Sequence, residues 1–290
     1  MDIFNEKEKL TPAIVELKNQ NKTIGFIPTM GALHEGHMSL VKASKAQNDY
    51  TIVSIFVNPT QFNNPEDLAK YPRTEENDKE LLMKNGCDFV YMPTVEDLYE
   101  ANEGAKHYDF GTIDQVMEGA SRPGHFDGVA TIVCKLFKAV QPTRAYFGEK
   151  DWQQIAVIKQ LVKYIGSKVE IVECPIIRES DGLAKSSRNT LLSDDERAIA
   201  PAIFKSLSAS VEYALTHSVS DTHDNVVKEI NSVEGLDVEY FEIVDGDTLQ
   251  NVNEWSDSDY VVGCITVNCG KTPIRLIDHI KYKEYKILRC

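Results

Sequence analysis

At 290 residues the chain is long enough for one large domain or two unequal ones with a well-buried core, and its 42% hydrophobic and 26% charged residues exclude a disordered or fibrous protein. Forty-five acidic against 31 basic residues leave a net charge of −14, which repels phosphate backbones and anionic membranes at long range, so neither nucleic acid nor a membrane is an expected partner. The charged first ten residues lack an apolar core, no apolar run reaches bilayer length, and the six cysteines (Cys87, Cys134, Cys174, Cys264, Cys269, Cys290) lack Cys-x-x-Cys spacing, which reads as a cytoplasmic protein with reduced structural thiols.

From residue 23 to about 177, short apolar runs alternate with helical patterns. Residues 23–28, 50–57, 89–92, 145–147 and 169–177 read as strands, and residues 35–47, 75–85, 129–140 and 152–165 as helices. The last of these places Ile155, Ile158, Leu161, Val162 and Ile165 on one face. This alternation predicts an α/β fold, a Rossmann-like parallel sheet with helices on both sides, in which ligands gather just beyond the carboxyl ends of the strands. After Arg178 the texture changes. Ser193-Asp194-Asp195-Glu196 opens a helix with a capping box. Helices near 196–215 and 225–233 are then followed by strands near 238–244, 260–267 and 275–280. Helices followed by strands predict a smaller α+β domain. The expected division is a catalytic domain over 1–177 and a lid over 178–290, hinged near 176–185.

The chemistry-bearing motifs sit at predicted element termini. Pro28-Thr29-Met30-Gly31-Ala32-Leu33-His34-Glu35-Gly36-His37 joins the first strand to the first helix. Two histidines three apart share a face there, where backbone N–H groups and the helix dipole favour a phosphate. A chance His-x-Gly-His arises about once in a hundred chains of this composition, and the pair also reads as surface or capping histidines. Gly148-Glu149-Lys150-Asp151 follows another strand and reads either as a phosphate or ribose contact or as a charged turn with Asp151 as helix cap. Lys185-Ser186-Ser187-Arg188, at the hinge, joins two hydroxyls to two cations, a set suited to a departing pyrophosphate and equally to a polar linker. Asn58 and Gln61 follow the second strand as neutral groups suited to a hydroxy acid, and Arg122, in the loop before His125-Phe126-Asp127-Gly128, could meet a carboxylate or phosphate.

In order and spacing, Pro28 to His37, Val57 to Phe62, Tyr71 to Thr74, Ser121 to Gly128, Gly148 to Gln154 and Asp181 to Asn189 together resemble the pantothenate synthetase family. That resemblance implies ATP-dependent joining of pantoate to β-alanine through a pantoyl-adenylate, with AMP and pyrophosphate released, magnesium with the ATP, and a homodimer. Carried over by position, Met30, Gly31, Ala32, Leu33, His34, Glu35, Gly36 and His37 would line the ATP site. Gly148, Glu149, Lys150, Asp151, Ile177, Lys185, Ser186, Ser187 and Arg188 would also contact ATP. His34, His37, Lys150 and Arg188 would be catalytic, Gln61 and Gln154 would hold pantoate with Gln61 also near β-alanine, and Asp78 would help position magnesium. Lys185 stands where many relatives carry Met or Leu, so its charge is expected to be incidental. The rivals are another nucleotidyltransferase, which would share the histidine pair without needing Gln61 and Gln154, and a nucleotide-binding regulator that releases no pyrophosphate.

Overall fold

The computed structural model describes residues 1–284, so Cys290 lies outside the described residues. The first part of the chain runs β1 (Asp2–Phe4), α1 (Lys7–Asn19), β2 (Ile24–Thr29), α2 (Glu35–Gln47), β3 (Tyr50–Ile55), α3 (Pro65–Lys70), α4 (Glu75–Lys84) and β4 (Phe89–Tyr91). It continues through α5 (Val95–Leu98), α6 (Met117–Ser121), α7 (His125–Val140), β5 (Arg144–Gly148), α8 (Trp152–Tyr164) and β6 (Glu170–Cys174). Six strands form one parallel sheet in the order β1-β4-β3-β2-β5-β6. After β2 the chain adds β3 and β4 on one side, then crosses to add β5 and β6 on the other. The crevice between the carboxyl ends of β2 and β5 is therefore the switch point at which such sheets bind ligands.

The second part contains α9 (Asp194–Ile199), α10 (Ala202–Tyr213), α11 (Val219–Asn231), β7 (Leu236–Asp245), β8 (Val261–Cys269) and β9 (Ile274–Lys283). Its three strands form an antiparallel sheet in chain order, with α10 and α11 packed over Phe241, Ile265 and Val267 in a core of its own. Val244, Leu249, Val262 and Cys264 instead join the core of the larger sheet, beside Trp152 and Phe126, so the smaller sheet has one face turned toward its own helices and residues that pack onto the larger unit. Among the described residues no helix is long and apolar enough to cross a membrane. Cys87, Cys134, Cys174, Cys264 and Cys269 are buried free thiols.

Several boundaries differ from the sequence expectations, each for a local reason. The last strand of the large sheet stops at Cys174, because Pro175 has no N–H to continue the ladder, and Ile176 and Ile177 are left to line a cleft. The single helix expected over 196–215 is two helices, since Pro201 interrupts it. Helix α11 starts at Val219, six residues before the expected start, with Ser218 accepting from the Asp221 N–H as its cap. Helix α7 begins at His125, four residues early. Strand β1 and helix α1 were hidden by the charged N-terminus, although Leu10, Ile14 and Leu17, all buried, have helical spacing. The expected hinge is a short hairpin: Arg178 bridges Ala184, and the Lys185 N–H donates to the Ile177 carbonyl.

Candidate active site

The turn from β2 into α2 is built from unusual backbone. Gly31 has φ +82° and Ala32, a non-glycine residue, φ +48°, a left-handed conformation that costs an alanine about 1–2 kcal/mol. Asp78, 2% exposed on α4, offsets that cost: one carboxylate oxygen accepts from the Ala32 N–H at 2.9 Å, and the other from the Leu33 N–H at 2.8 Å and the Thr74 hydroxyl at 3.0 Å. The turn delivers His34 as the N-cap of α2. Its Nδ1 accepts from the Gly36 N–H at 3.1 Å, and Nδ1 of His37 accepts from the His34 N–H at 3.3 Å, a reciprocal capping box made by two imidazoles. Because both Nδ1 atoms accept, each neutral ring carries its proton on Nε2. Both side chains line the cleft.

Capping and ligand binding, set out above as alternatives, are here compatible uses of opposite ring edges. The histidines are also held neutral. Burial first, then Lys150 and Lys185, lower the His34 pKa from 6.5 to about 4, and burial first, then His34 and Lys150, lower that of His37 to about 3. The native state thus disfavours their protonated forms. Their contribution to stability is full above pH 6.5 and is lost as pH falls from there through about 4 and about 3. Nitrogen-detected NMR of the protein at pH 6 should show two neutral Nε2–H rings. An imidazolium or an Nδ1–H ring at either position would refute this assignment.

Opposite the histidines, the 3₁₀ turn Glu149–Asp151 follows β5 and places Lys150 against the cleft, with its ammonium 3.2 Å from Asp151. Gln154 follows in the first turn of α8 and also lines the cleft. The turn Pro59–Gln61 after β3 supplies Gln61. Its Oε1 accepts from the amide of Asn58 at 3.0 Å, and Asn58, 1% exposed, accepts in turn from the Tyr99 hydroxyl at 2.7 Å. The Gln61 amide is thereby oriented with Nε2 as its donor end, which donates to Met30 Sδ at 3.2 Å. This turn lies against α7 at Gly128, where a β-carbon would sit 2.4 Å from the Thr60 carbonyl oxygen, so only glycine allows the approach.

The segment Lys185-Ser186-Ser187-Arg188 closes the fourth side. Ser187 donates to the Ala32 carbonyl at 3.0 Å, and Arg188 lies 3.4 Å from Asp67. The charge of Lys185 is shared between Glu35 and Glu179, each at 2.9 Å. Met30, His34, Gly36, His37, Gln61, Gly148, Lys150, Asp151, Gln154, Ile177 and Lys185 to Arg188 thus line one cleft. Five residues expected at the ATP site are not among its lining. The backbone of Gly31, Ala32 and Leu33 turns toward Asp78, Glu35 is mostly exposed and paired with Lys185, and Glu149 pairs with Lys281 at 3.1 Å. Asp78, expected at the metal, is not on the cleft wall either; both of its oxygens are committed to the turn.

A second cavity opens beside the cleft, sharing Lys150, Asp151, Gln154 and Arg188 with it and continuing between the two units. Its empty space, about 620 Å³, is half the roughly 1290 Å³ of the cleft. Arg122 and His125 line it, both bonded to the Gln61 carbonyl, at 3.3 and 2.8 Å. The sequence reading missed Glu118, Tyr240 and Arg275, which also line this cavity, because each stands outside any motif.

The sequence and the fold match those of known proteins. The family described as Pantoate-beta-alanine ligase matches residues 2–281 of the chain. A pantothenate synthetase of Bacteroides thetaiotaomicron is 54% identical over 284 residues, 98% of this chain and 100% of the relative, and one of Porphyromonas gingivalis is 50% identical with the same coverage. The crystal structure of pantothenate synthetase from Thermus thermophilus superposes with a TM-score of 0.91 at 38% identity, over 98% of this chain and 100% of that one. A pantoate-beta-alanine ligase from Francisella tularensis, solved in complex with beta-gamma ATP and beta-alanine, has a TM-score of 0.78 at 34% identity, over 97% of this chain and 98% of that one.

Proposed function

The chain belongs to the pantoate-beta-alanine ligase family, and from that premise we propose how its cleft performs the ATP-dependent joining of pantoate to β-alanine. One observation carries the reading: the histidine-capped turn, Lys150 and the segment 185–188 surround one cleft whose remaining wall holds the oriented amide of Gln61 and the side chain of Gln154. Cations and N–H donors serve a triphosphate, and neutral amides serve a hydroxy acid that would be held too tightly by further charge. A pantoate carboxylate oxygen attacks the α-phosphorus while the bond to pyrophosphate breaks. Neutral Nε2–H donors from His34 and His37, with Lys150 and Arg188, meet the charge that grows on the phosphoryl and leaving oxygens. The β-alanine amine then attacks the acyl carbon, expels AMP and loses a proton.

Among the described residues no three His, Cys, Asp or Glu side chains group around a common metal position, and Asp151 is the one acidic side chain lining the cleft. Such a wall fits Mg²⁺ carried in on the triphosphate, since that ion keeps waters and takes one or two carboxylates together with phosphate oxygens. Asp151 would be the protein's contribution, and the ion would neutralise triphosphate charge. The division into a catalytic domain over 1–177 and a lid over 178–290, a cytoplasmic location and a homodimer complete the proposal; light scattering of the purified chain tests the last. Release of AMP in a coupled assay, with ATP, pantoate and β-alanine omitted in turn, tests the whole. Turnover that persists without pantoate would refute the assignment of substrates.

Gln61→Ala is expected to weaken pantoate by about 1–3 kcal/mol, the cost of one lost hydrogen bond to a buried partner, while ATP affinity changes little. Calorimetry with each ligand separately checks this. Equal losses for both ligands would mean that the Asn58–Gln61 turn had collapsed and that no selective contact existed.

A further inference from the structure

Glu118 sits on the short helix α6, its side chain 13% exposed, and belongs to none of the ligand motifs. Its carboxylate gathers one donor from each strand of the smaller sheet. The Tyr240 hydroxyl of β7 and the Thr266 hydroxyl of β8 donate at 3.0 Å each, and the Arg275 guanidinium of β9 donates twice, at 2.7 and 3.0 Å. Arg275 is held in turn by Glu239 at 2.7 Å. The position of Glu118 is fixed from the larger unit. Gln153, 5% exposed on α8, accepts from the Glu118 N–H at 2.9 Å and donates to the carbonyls of Ile113 and Val116 at 2.7 and 2.8 Å.

Two adjacent glutamines therefore divide the work: Gln154 faces the cleft and Gln153 anchors the carboxylate that ties the two units together. Burial alone would raise the pKa of Glu118, but Arg275, Arg122 and Thr266 bring it down to about 2, so the seam is ionised at any working pH. Glu118, Tyr240 and Arg275 all line the side cavity, together with Met117, Arg122 and Cys264, and that cavity meets the cleft at Lys150 and Gln154.

We infer that Glu118 is a positioning residue that keeps the smaller sheet closed against the side of the cleft and so denies water to the acyl-adenylate. The inference rests on the adenylate route above. An acyl-adenylate reached by water is hydrolysed: the water oxygen bonds to the acyl carbon, the bond from that carbon to the phosphate oxygen breaks, and pantoate, AMP and a proton are released. Productive transfer gives one AMP per amide; leakage gives AMP with no amide. A site between two units that excludes water only while they are stitched together predicts a change in this ratio, which a general loss of folded protein would not produce.

The test is the ratio of AMP to amide product, measured by chromatography at saturating β-alanine, for wild type, Glu118→Gln, Tyr240→Phe and Thr266→Val. Wild type is expected to give one to one. Glu118→Gln removes one of the two carboxylate charges that hold Arg275, the one from the larger unit, and should raise the ratio at least about twofold, with faster hydrogen exchange across β7, β8 and β9. Tyr240→Phe and Thr266→Val each remove one donor and leave the carboxylate in place, so each should raise the ratio by less. If Glu118→Gln does not fold, these two variants decide. A ratio of one in folded Glu118→Gln, or in both single-donor variants where that protein is unfolded, overturns the seam while leaving the ligase reading intact. Wild type that makes no amide, or makes it without AMP, overturns the ligase reading itself.

Discussion

Replacing His37 by alanine lowers the single-turnover rate of adenylate formation by about 10²–10³-fold, the usual loss when one preorganised donor is taken from a developing charge. His37 is neutral, with its pKa pushed down to about 3 by burial, then by His34 and Lys150, and its Nδ1 is occupied by the His34 N–H. Its remaining function is the Nε2–H directed at the cleft. The reaction should therefore show no loss of a catalytic acid as pH rises through 6 to 8, because this ring is uncharged throughout. Alanine also removes half of the helix cap, worth about 1 kcal/mol, so a second variant separates the two effects. Glutamine is a natural third residue of a capping box, so His37→Gln should restore thermal stability and leave most of the rate defect. Rapid-quench rates within about threefold of wild type in His37→Gln would remove the imidazole from catalysis.

Replacing Asp78 by asparagine lowers kcat/KM for ATP by about 10–10²-fold without changing the concentration of magnesium that gives half-maximal rate. Each oxygen of this buried carboxylate accepts a backbone N–H, from Ala32 at 2.9 Å and from Leu33 at 2.8 Å. An amide has one acceptor oxygen, so one of the two N–H groups must then face an NH₂ group. Leaving a buried donor unsatisfied costs about 1–3 kcal/mol, enough to loosen the left-handed turn that carries His34. A direct magnesium ligand behaves otherwise: its loss raises the magnesium requirement at saturating ATP. Titrating Mg²⁺ against Asp78→Asn at fixed ATP distinguishes them, and a tenfold rise in the requirement would return Asp78 to the metal.

The residues lining the cleft were largely legible because they occupy short stretches at strand ends, where composition and neighbours carry information. His34 and His37 are three residues apart, so a strand-turn-helix reading alone puts them on one face. The Gly148–Asp151 stretch and the 185–188 segment likewise reveal themselves locally, one by a glycine before a cation and one by paired hydroxyls and cations. Asp78 is harder to read in the sequence, for the opposite reason. An acidic residue in an acidic stretch has no local sign of whether its oxygens face solvent, a metal or a backbone turn 45 residues away.

Local periodicity and turn chemistry are short-range properties, and by themselves they determined the alternating α/β order, the change of texture near residue 178, the Ser193–Glu196 capping box and the order of the cleft-lining turns along the chain. Tertiary structure alone decided which turns face one another, because the β2–β5 switch point is created by strand order, and strand order is settled by burial of helix faces over long separations. It alone decided that both imidazoles offer Nε2–H, since that depends on backbone amides fixed by the turn. It also decided the partners of Glu118, whose donors Tyr240, Thr266 and Arg275 lie 122, 148 and 157 residues away; no pattern of neighbours in a linear chain can encode a buried charge that is satisfied only when two separately patterned units come together.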